Sequence, residues 1–160
     1  MPGGPAPPRK ASDQTLHYGI VSTPAPVHDR RAQQRRQKGQ PLRVIVADDD
    51  RDTVDTLAQV LRAAGHTVHP FYTGREVLPA VRILRPDVII LDIAVPGMSG
   101  YAVAQEVRHS FVDVRRPVMI AISGMWTETS DRLIARQVGF DHYLAKPCDP
   151  EELLRLLAAV

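Results

Sequence analysis

Four short apolar runs in this chain end in residues that could do chemistry together. VIVADDD ends in Asp48, Asp49 and Asp50, VIILD ends in Asp92, VMIAISG ends in Ser123 and Gly124, and HYLAKP ends in Lys146 and Pro147. Carboxylates gathered at one point repel one another, and either raised pKa values or a divalent cation relieves that repulsion. Mg²⁺ is the expected tenant, because it takes carboxylate and carbonyl oxygens, keeps several waters and commonly shares its shell with a phosphate. An oxygen nucleophile, a metal, a cation and a hydroxyl donor are the parts that phosphoryl transfer requires. Asp92 is the candidate nucleophile, since it stands alone at the end of its run, and Asp48 and Asp49 are candidate metal ligands. Ser123 would hydrogen-bond an incoming phosphoryl group, with Gly124 leaving room for access. Lys146 would pair with Asp92 at rest and with a phosphoryl oxygen later.

Gathering these residues is the task of the elements between them. LRVIVA, TVHPFY, DVIILD, PVMIAIS and FDHYLA are strand-like runs. Each is followed by a segment of helical periodicity. In TVDTLAQVLRAAG the residues Val54, Leu57, Val60 and Leu61 share a face and Gly65 is the expected stop. REVLPAVRILR carries Val77, Val81 and Leu84 on one side, with Pro79 expected in or near the first turn. YAVAQEVRHS is the third helix. In TETSDRLIARQVG, Leu133, Ile134 and Val138 are expected to face inward and Gly139 to end the helix. DPEELLRLLAAV has Asp149 as N-cap, Pro150 at the first helical position and acids in the first turn. Five strand-helix alternations predict an α/β fold with a parallel sheet covered by helices on both faces. In such sheets ligands gather beyond the carboxyl ends of the strands, where all four polar stretches fall.

The chain's 160 residues and 44% hydrophobic content provide for one domain with a real core and leave no room for a second. From Met1 to Pro41 there are 7 Lys and Arg against 2 Asp and Glu, whereas from Leu42 to Val160 there are 13 against 16. The basic excess therefore belongs to the leader, which also holds half of the 14 prolines. Residues 1–41 are expected to be a disordered Pro-rich basic tail, and 42–160 the folded domain. Within the tail, DRRAQQRRQK (29–38) could form a short basic helix on a partner, and an Arg-rich, acid-poor leader also fits a mitochondrial presequence. Basicity confined to a tail is a poor argument for nucleic-acid binding, and none is expected of this chain. Cys148 stands alone and cannot form an internal disulfide, no run approaches the roughly 20 apolar residues of a membrane span, and no secretory h-region opens the chain. A cytoplasmic protein without membrane contact is the expectation.

VIVADDD, VIILDIAVPGMSGY, AISG and YLAKP, in this order and at these spacings, give residues 42–160 a clear resemblance to the response-regulator receiver domain of two-component signalling. GFDHYLAKPCDPEEL and ILDIAVPGMSGY are similar to receivers attached to hybrid histidine kinases. The resemblance implies a doubly wound, flavodoxin-like sheet of five parallel strands in the order 2-1-3-4-5. It implies Asp92 as phosphoacceptor, and Asp49 and Asp92 as direct Mg²⁺ ligands together with the backbone carbonyl of Ala94. Asp48 would act through water, Ser123 as switch hydroxyl, Tyr143 as switch aromatic and Lys146 as the paired cation, with a cis peptide before Pro147. The implied partners are a sensor histidine kinase or a histidine phosphotransfer protein, and a downstream protein that the sequence leaves unknown. The chain stops after its fifth helix, so no output domain is expected within it.

Plainer readings stand beside these. Asp92 could cap the turn before Met98, Asp48 and Asp49 could be a loop acid pair, Lys146 a solvent lysine, and Ser123-Gly124 loop punctuation. Tyr143 could be half-buried packing, and Asp50, the acid beyond the usual pair, an N-cap. The six histidines show no metal-ligand spacing, Cys148 fits a small packing residue, and Trp126 could serve a partner. Other functions fit the sequence less well. A haloacid-dehalogenase-like phosphatase needs D-x-D-x-T after the first strand, but Asp52 and Val54 occupy the positions where Thr would fall. A scaffolding receiver that is never phosphorylated would not need the full set of acid, hydroxyl and lysine.

Overall fold

The computed structural model describes residues 40–110, 116–124 and 129–160, with the side chains of 129–132 excepted. Residues 1–39, the 29–38 segment among them, lie outside the described residues, as does Trp126. Strand and helix alternate as β1 (Arg43–Ala47), α1 (Arg51–Ala63), β2 (Thr67–Phe71), α2 (Gly74–Leu84), β3 (Val88–Asp92), α3 (Gly100–Ser110), β4 (Val118–Ser123), α4 (Thr129–Val138), β5 (His142–Ala145) and α5 (Pro150–Leu157). All strand pairs are parallel, and the order across the sheet is β2-β1-β3-β4-β5. This is the doubly wound arrangement expected from the sequence.

The strand runs are apolar throughout because alternate residues serve two cores. Ile45, Ala47, Ile89, Leu91, Met119 and Ala121 pack with Val77 and Val81 of α2, Val103 and Val107 of α3, and Ala135 of α4. Val44, Val46, Val88, Ile90, Ile120 and Ile122 pack with Val54, Leu57 and Leu61 of α1 and with Leu153 and Leu157 of α5. A strand shifted by one residue would exchange these two sets, so the register is strongly specified. Pro70 is tolerated in β2 because that strand is the edge of the sheet.

Two helical expectations need correction. Pro79 lies not in the first turn of α2 but beyond it, in a helix that begins at Gly74. Its ring is exposed there, and lacking an N–H it cannot donate to the Arg75 carbonyl four residues earlier. In α4, Leu133 and Ile134 do not face inward: they are 58% and 43% exposed, while the buried position is Ala135 and Val138 is half-buried. The small residue lets the helix lie close to the sheet, and the larger neighbours are turned out by the helical period.

The amino ends of the strands are braced by two acids that the sequence did not single out. Asp87 Oδ2 accepts the Arg43 N–H at 2.8 Å, and Asp141 Oδ2 accepts the Met119 N–H at 2.8 Å. Each sits just before a strand, in RPDVIIL and GFDHYL, which is the signal that could have found them. Arg108, near the end of α3, completes the second brace. It donates to Asp141 Oδ2, to the Gly139 carbonyl at 2.7 Å and to the Pro117 carbonyl at 3.0 Å.

Candidate functional site

Sheet register assembles the site. Ala47 lies beside Leu91, so Asp48 and Asp92 leave neighbouring strands side by side. Ser123 lies beside Ala145, which brings Lys146 to the same rim, and the Lys146 N–H donates to the Ser123 carbonyl at 2.9 Å. The Lys146–Pro147 peptide is cis, as the resemblance implied. Asp48, Asp92 and Ser123 are 2, 4 and 3% exposed, whereas Asp49 is open to solvent.

Carboxylate oxygens of Asp48, Asp49 and Asp92 all lie within 4.8 Å of one another. Lys146 Nζ stands 2.6 Å from Asp48 Oδ2 and 3.5 Å from Asp92 Oδ1. The pairing of Lys146 with Asp92 is thus present, but Asp48 is the nearer acid. Asp48 Oδ1 accepts the Asp50 N–H at 3.0 Å, while the buried Oδ2 is the oxygen that faces the Lys146 ammonium.

Burial pushes the Asp92 carboxyl above its ordinary value, and the charge of Asp48 adds to this; Lys146 and the Ala94 N–H pull the other way without prevailing. For Lys146, burial by itself would lower the pKa, but the carboxylates of Asp48 and Asp92 outweigh it and hold the ammonium above its ordinary range. Lys146 therefore stays charged, and the Asp92 carboxyl holds a proton or another electrophilic group more readily than a free one does.

The donor set fits Mg²⁺. It consists of hard oxygens, two of its three carboxylates are buried, and it is open to water on the Asp49 side. Ala94, whose carbonyl the resemblance assigns to the metal, is exposed next to this cluster.

Other expected roles sort as follows. Asp50 caps α1: its side chain accepts the Asp52 N–H at 3.1 Å and the Thr53 hydroxyl at 2.7 Å, and the Thr53 bond leads in lowering its pKa. Tyr143 is half-buried, level with Ala121 and packed on the core shared by α2, α3 and α4. Cys148 is a half-buried packing residue whose thiol is pushed up to about 11, by burial first and then by Glu152 and Asp149. The cluster of possible metal ligands found among the described residues contains no histidine. His66 instead accepts the Leu42 N–H on Nδ1 at 3.2 Å, and His17 and His28 lie outside the described residues.

A five-stranded parallel α/β sheet with acids, a hydroxyl and a lysine at the carboxyl ends of four of its strands defines a class of small acidic-pocket domains. The family described as response regulator receiver domain matches residues 44–158, and the chain belongs to it. It is 35% identical over 117 residues to the DNA-binding response regulator MtrA of Mycolicibacterium paratuberculosis, covering 73% of this chain and 50% of that protein. It is 33% identical over 112 residues to the transcriptional regulatory protein BaeR of Escherichia coli, covering 70% of this chain and 45% of that protein. The chain thus spans about half the length of these curated relatives. Among solved structures it is similar to the chemotaxis response regulator CheY4 of Vibrio cholerae, with a TM-score of 0.67 at 27% identity, covering 75% of this chain and 98% of that one. The chain is accordingly a response-regulator receiver domain of two-component systems. Among the described residues, no helix is long and apolar enough to cross a membrane.

Proposed function

We propose that residues 42–160 form a phosphoacceptor receiver that takes a phosphoryl group onto Asp92 from the phosphohistidine of a sensor kinase or a histidine phosphotransfer protein. The observation that carries this reading is the convergence of Asp48, Asp92 and Lys146, held within ion-pair reach at the ends of three strands. Packing alone does not call for two buried acids and a lysine at one rim.

A carboxylate oxygen of Asp92 attacks phosphorus, the P–N bond of the donor breaks, and the imidazole nitrogen keeps the electron pair. The product is an acyl phosphate. Asp92 enters as the ionised form, and burial that raises its pKa also strengthens it as a nucleophile. Lys146 offsets charge on the phosphoryl oxygens, and the Ser123 hydroxyl donates to one of them. Asp49, Asp92 and the Ala94 carbonyl would hold Mg²⁺, with Asp48 acting through water. When bound, the ion supplies charge neutralisation on the phosphoryl oxygens. The domain assists its own modification and turns over no substrate, so it is a switch and not a classical enzyme.

New contacts from Ser123 and Lys146 to a dianionic group can shift a two-state balance by a few kcal/mol, and Tyr143 then repacks and alters the face of α4, β5 and α5 for a downstream protein. The reading places the domain in the cytoplasm, with a protein partner and no nucleic acid bound by the receiver itself. Mass spectrometry after incubation with acetyl phosphate and Mg²⁺ tests it. One acyl phosphate is expected on the parent chain and none on Asp92→Asn; an equal yield from the variant refutes the assignment.

A further inference from the structure

The loop between β3 and α3 carries Ala94, whose carbonyl would serve the metal. A carbonyl makes a dependable ligand only when its peptide is held, because ordering a free residue costs about 1–2 kcal/mol each time it is used. The base of this loop is closed by two bonds: the Ile93 N–H donates to the Ile122 carbonyl at 3.1 Å, and the Gly100 N–H donates to the Ile93 carbonyl at 3.0 Å. These fix its ends and leave the span between them to be fastened from elsewhere.

The fastening comes from the first two residues of α2. The Gly74 N–H donates to the Pro96 carbonyl at 3.0 Å, and Arg75 Nε donates to the Gly97 carbonyl at 3.1 Å. The first N–H groups of a helix have no partner within it. Thr73, the N-cap, makes no side-chain cap bond and instead donates its hydroxyl to Glu76 at 2.8 Å. The Gly74 donor is therefore available to the loop. Approach is close enough that a Cβ on Gly74 would collide with the Met98 carbonyl and lie 3.2 Å from Val95 Cγ1. Gly97 has φ +85°, and its exposed turn lies against the Arg75 stem, so that a Cβ there would meet Arg75 Cγ at 3.3 Å. Val95, Pro96, Gly97 and Met98 are thus all held by α2, with Val95 buried, while Ala94 sits between this fastened stretch and the closed base.

We infer that Gly74 and Arg75 are positioning residues for the metal: the amino end of α2 latches the loop and thereby presents the Ala94 carbonyl to a divalent cation held by Asp49 and Asp92. The inference rests on the phosphoacceptor reading, which supplies the cation. Neither residue is one of the acids of the pocket; both act through the loop backbone.

The test is a Mg²⁺ titration of the full chain by intrinsic fluorescence, with amide hydrogen exchange of residues 94–99, on the parent, Arg75→Ala, Arg75→Lys and Gly74→Ala. Arg75→Ala is expected to raise the Mg²⁺ concentration at half-saturation about tenfold, the low end of what loss of an outer-shell partner does, and to speed exchange across the loop. Arg75→Lys, which keeps a donor on a long stem, should recover part of the loss, and Gly74→Ala should shift in the same direction as Arg75→Ala. Should Gly74→Ala not fold, the two Arg75 variants decide. A parent that responds to Mg²⁺ together with an Arg75→Ala variant of unchanged midpoint overturns the latch alone, even if its loop exchanges faster. A parent that ignores Mg²⁺ overturns the latch and the phosphoacceptor reading together.

Discussion

Lys146 and Asp48 form the closest ion pair of the site, 2.6 Å between Nζ and Oδ2, and this pair holds the lysine beside Asp92 without committing it there. At 3.5 Å from Asp92 Oδ1 the ammonium still offsets the acceptor's charge, yet its nearest partner is an acid on another strand. The acceptor oxygen is therefore screened and not clamped. An incoming phosphoryl group would compete with Asp48 for the lysine, and a bound cation would offset the charge that Asp48 is left with.

Three carboxylates within 4.8 Å make the metal-free fold pay a repulsion that a cation removes. Mg²⁺ at ten times its dissociation constant should stabilise the parent by about 1.4 kcal/mol over the same protein in EDTA. Asp49→Asn should lose this gain while melting close to the parent in EDTA, because Asp49 is exposed. Thermal unfolding by circular dichroism with and without Mg²⁺ measures both, and an equal Mg²⁺ gain in the variant counts against Asp49 as a ligand.

Asp92 has its folded pKa raised, chiefly by burial, so the native state holds that proton more tightly than the unfolded chain. Its contribution to stability is present in full below the unfolded carboxylate value near 3.9 and is lost as pH rises through the folded pKa. Without metal, Asp92→Asn should therefore be more stable than the parent at neutral pH, and the gap should close as the pH falls toward that unfolded value. Urea denaturation of both proteins across this range in EDTA provides the comparison. A parent more stable than the variant at pH 7 would contradict it.

His66 has the opposite sign. Burial lowers its pKa, and Nδ1 must be unprotonated to accept the Leu42 N–H at the entry to β1. The stabilising contribution is present above the unfolded value of about 6.5 and is lost as pH falls through the lower folded pKa. His66→Ala should cost about 0.5–1.5 kcal/mol at pH 7.5, the worth of one hydrogen bond, and less at acid pH. Denaturation midpoints at the two ends of this range check it; a cost that does not shrink on acidification would rule out the titration.

Helix α4 rests on Ala135 and shows Leu133 and Ile134 to solvent. Replacing Leu133 or Ile134 by Ser should change stability by no more than about 0.5 kcal/mol, as surface substitutions do. Ala135→Leu should cost about 1–3 kcal/mol through overpacking against the sheet. Chemical denaturation of the three variants gives the ranking, and a large loss at Leu133 would mean that its side chain is buried in solution.

The strands and most helix ends were legible because their causes are local. Continuous β-branched runs specify strands with two covered faces, and Asp50 and Asp149 announce the starts of α1 and α5 by the caps their own side chains make. The inward face of α1 followed from the spacing of Val54, Leu57 and Leu61, but Val60, expected on the same face, is only half-buried and Ala58 is buried instead. The face of α4 did not follow, since LeuIleAla offers three adjacent apolar residues and hydrophobicity favours the larger two. Closeness of the helix to the sheet chose the smallest. Pro79 falls just beyond the first turn of α2, whose opening at Gly74 lies against the β3–α3 loop, a contact between distant segments.

By itself, the sequence determined the alternation of elements, the family to which the domain belongs and the residue types that end each inner strand, because periodicity and turn chemistry are written in consecutive residues. Only the tertiary structure decided that Lys146 leans to Asp48, that Asp92 is buried enough for its pKa to rise, and that α2 grips the loop after β3. Each of these depends on the register of strands far apart in the chain, and therefore on the packing of the whole sheet, which no local pattern records.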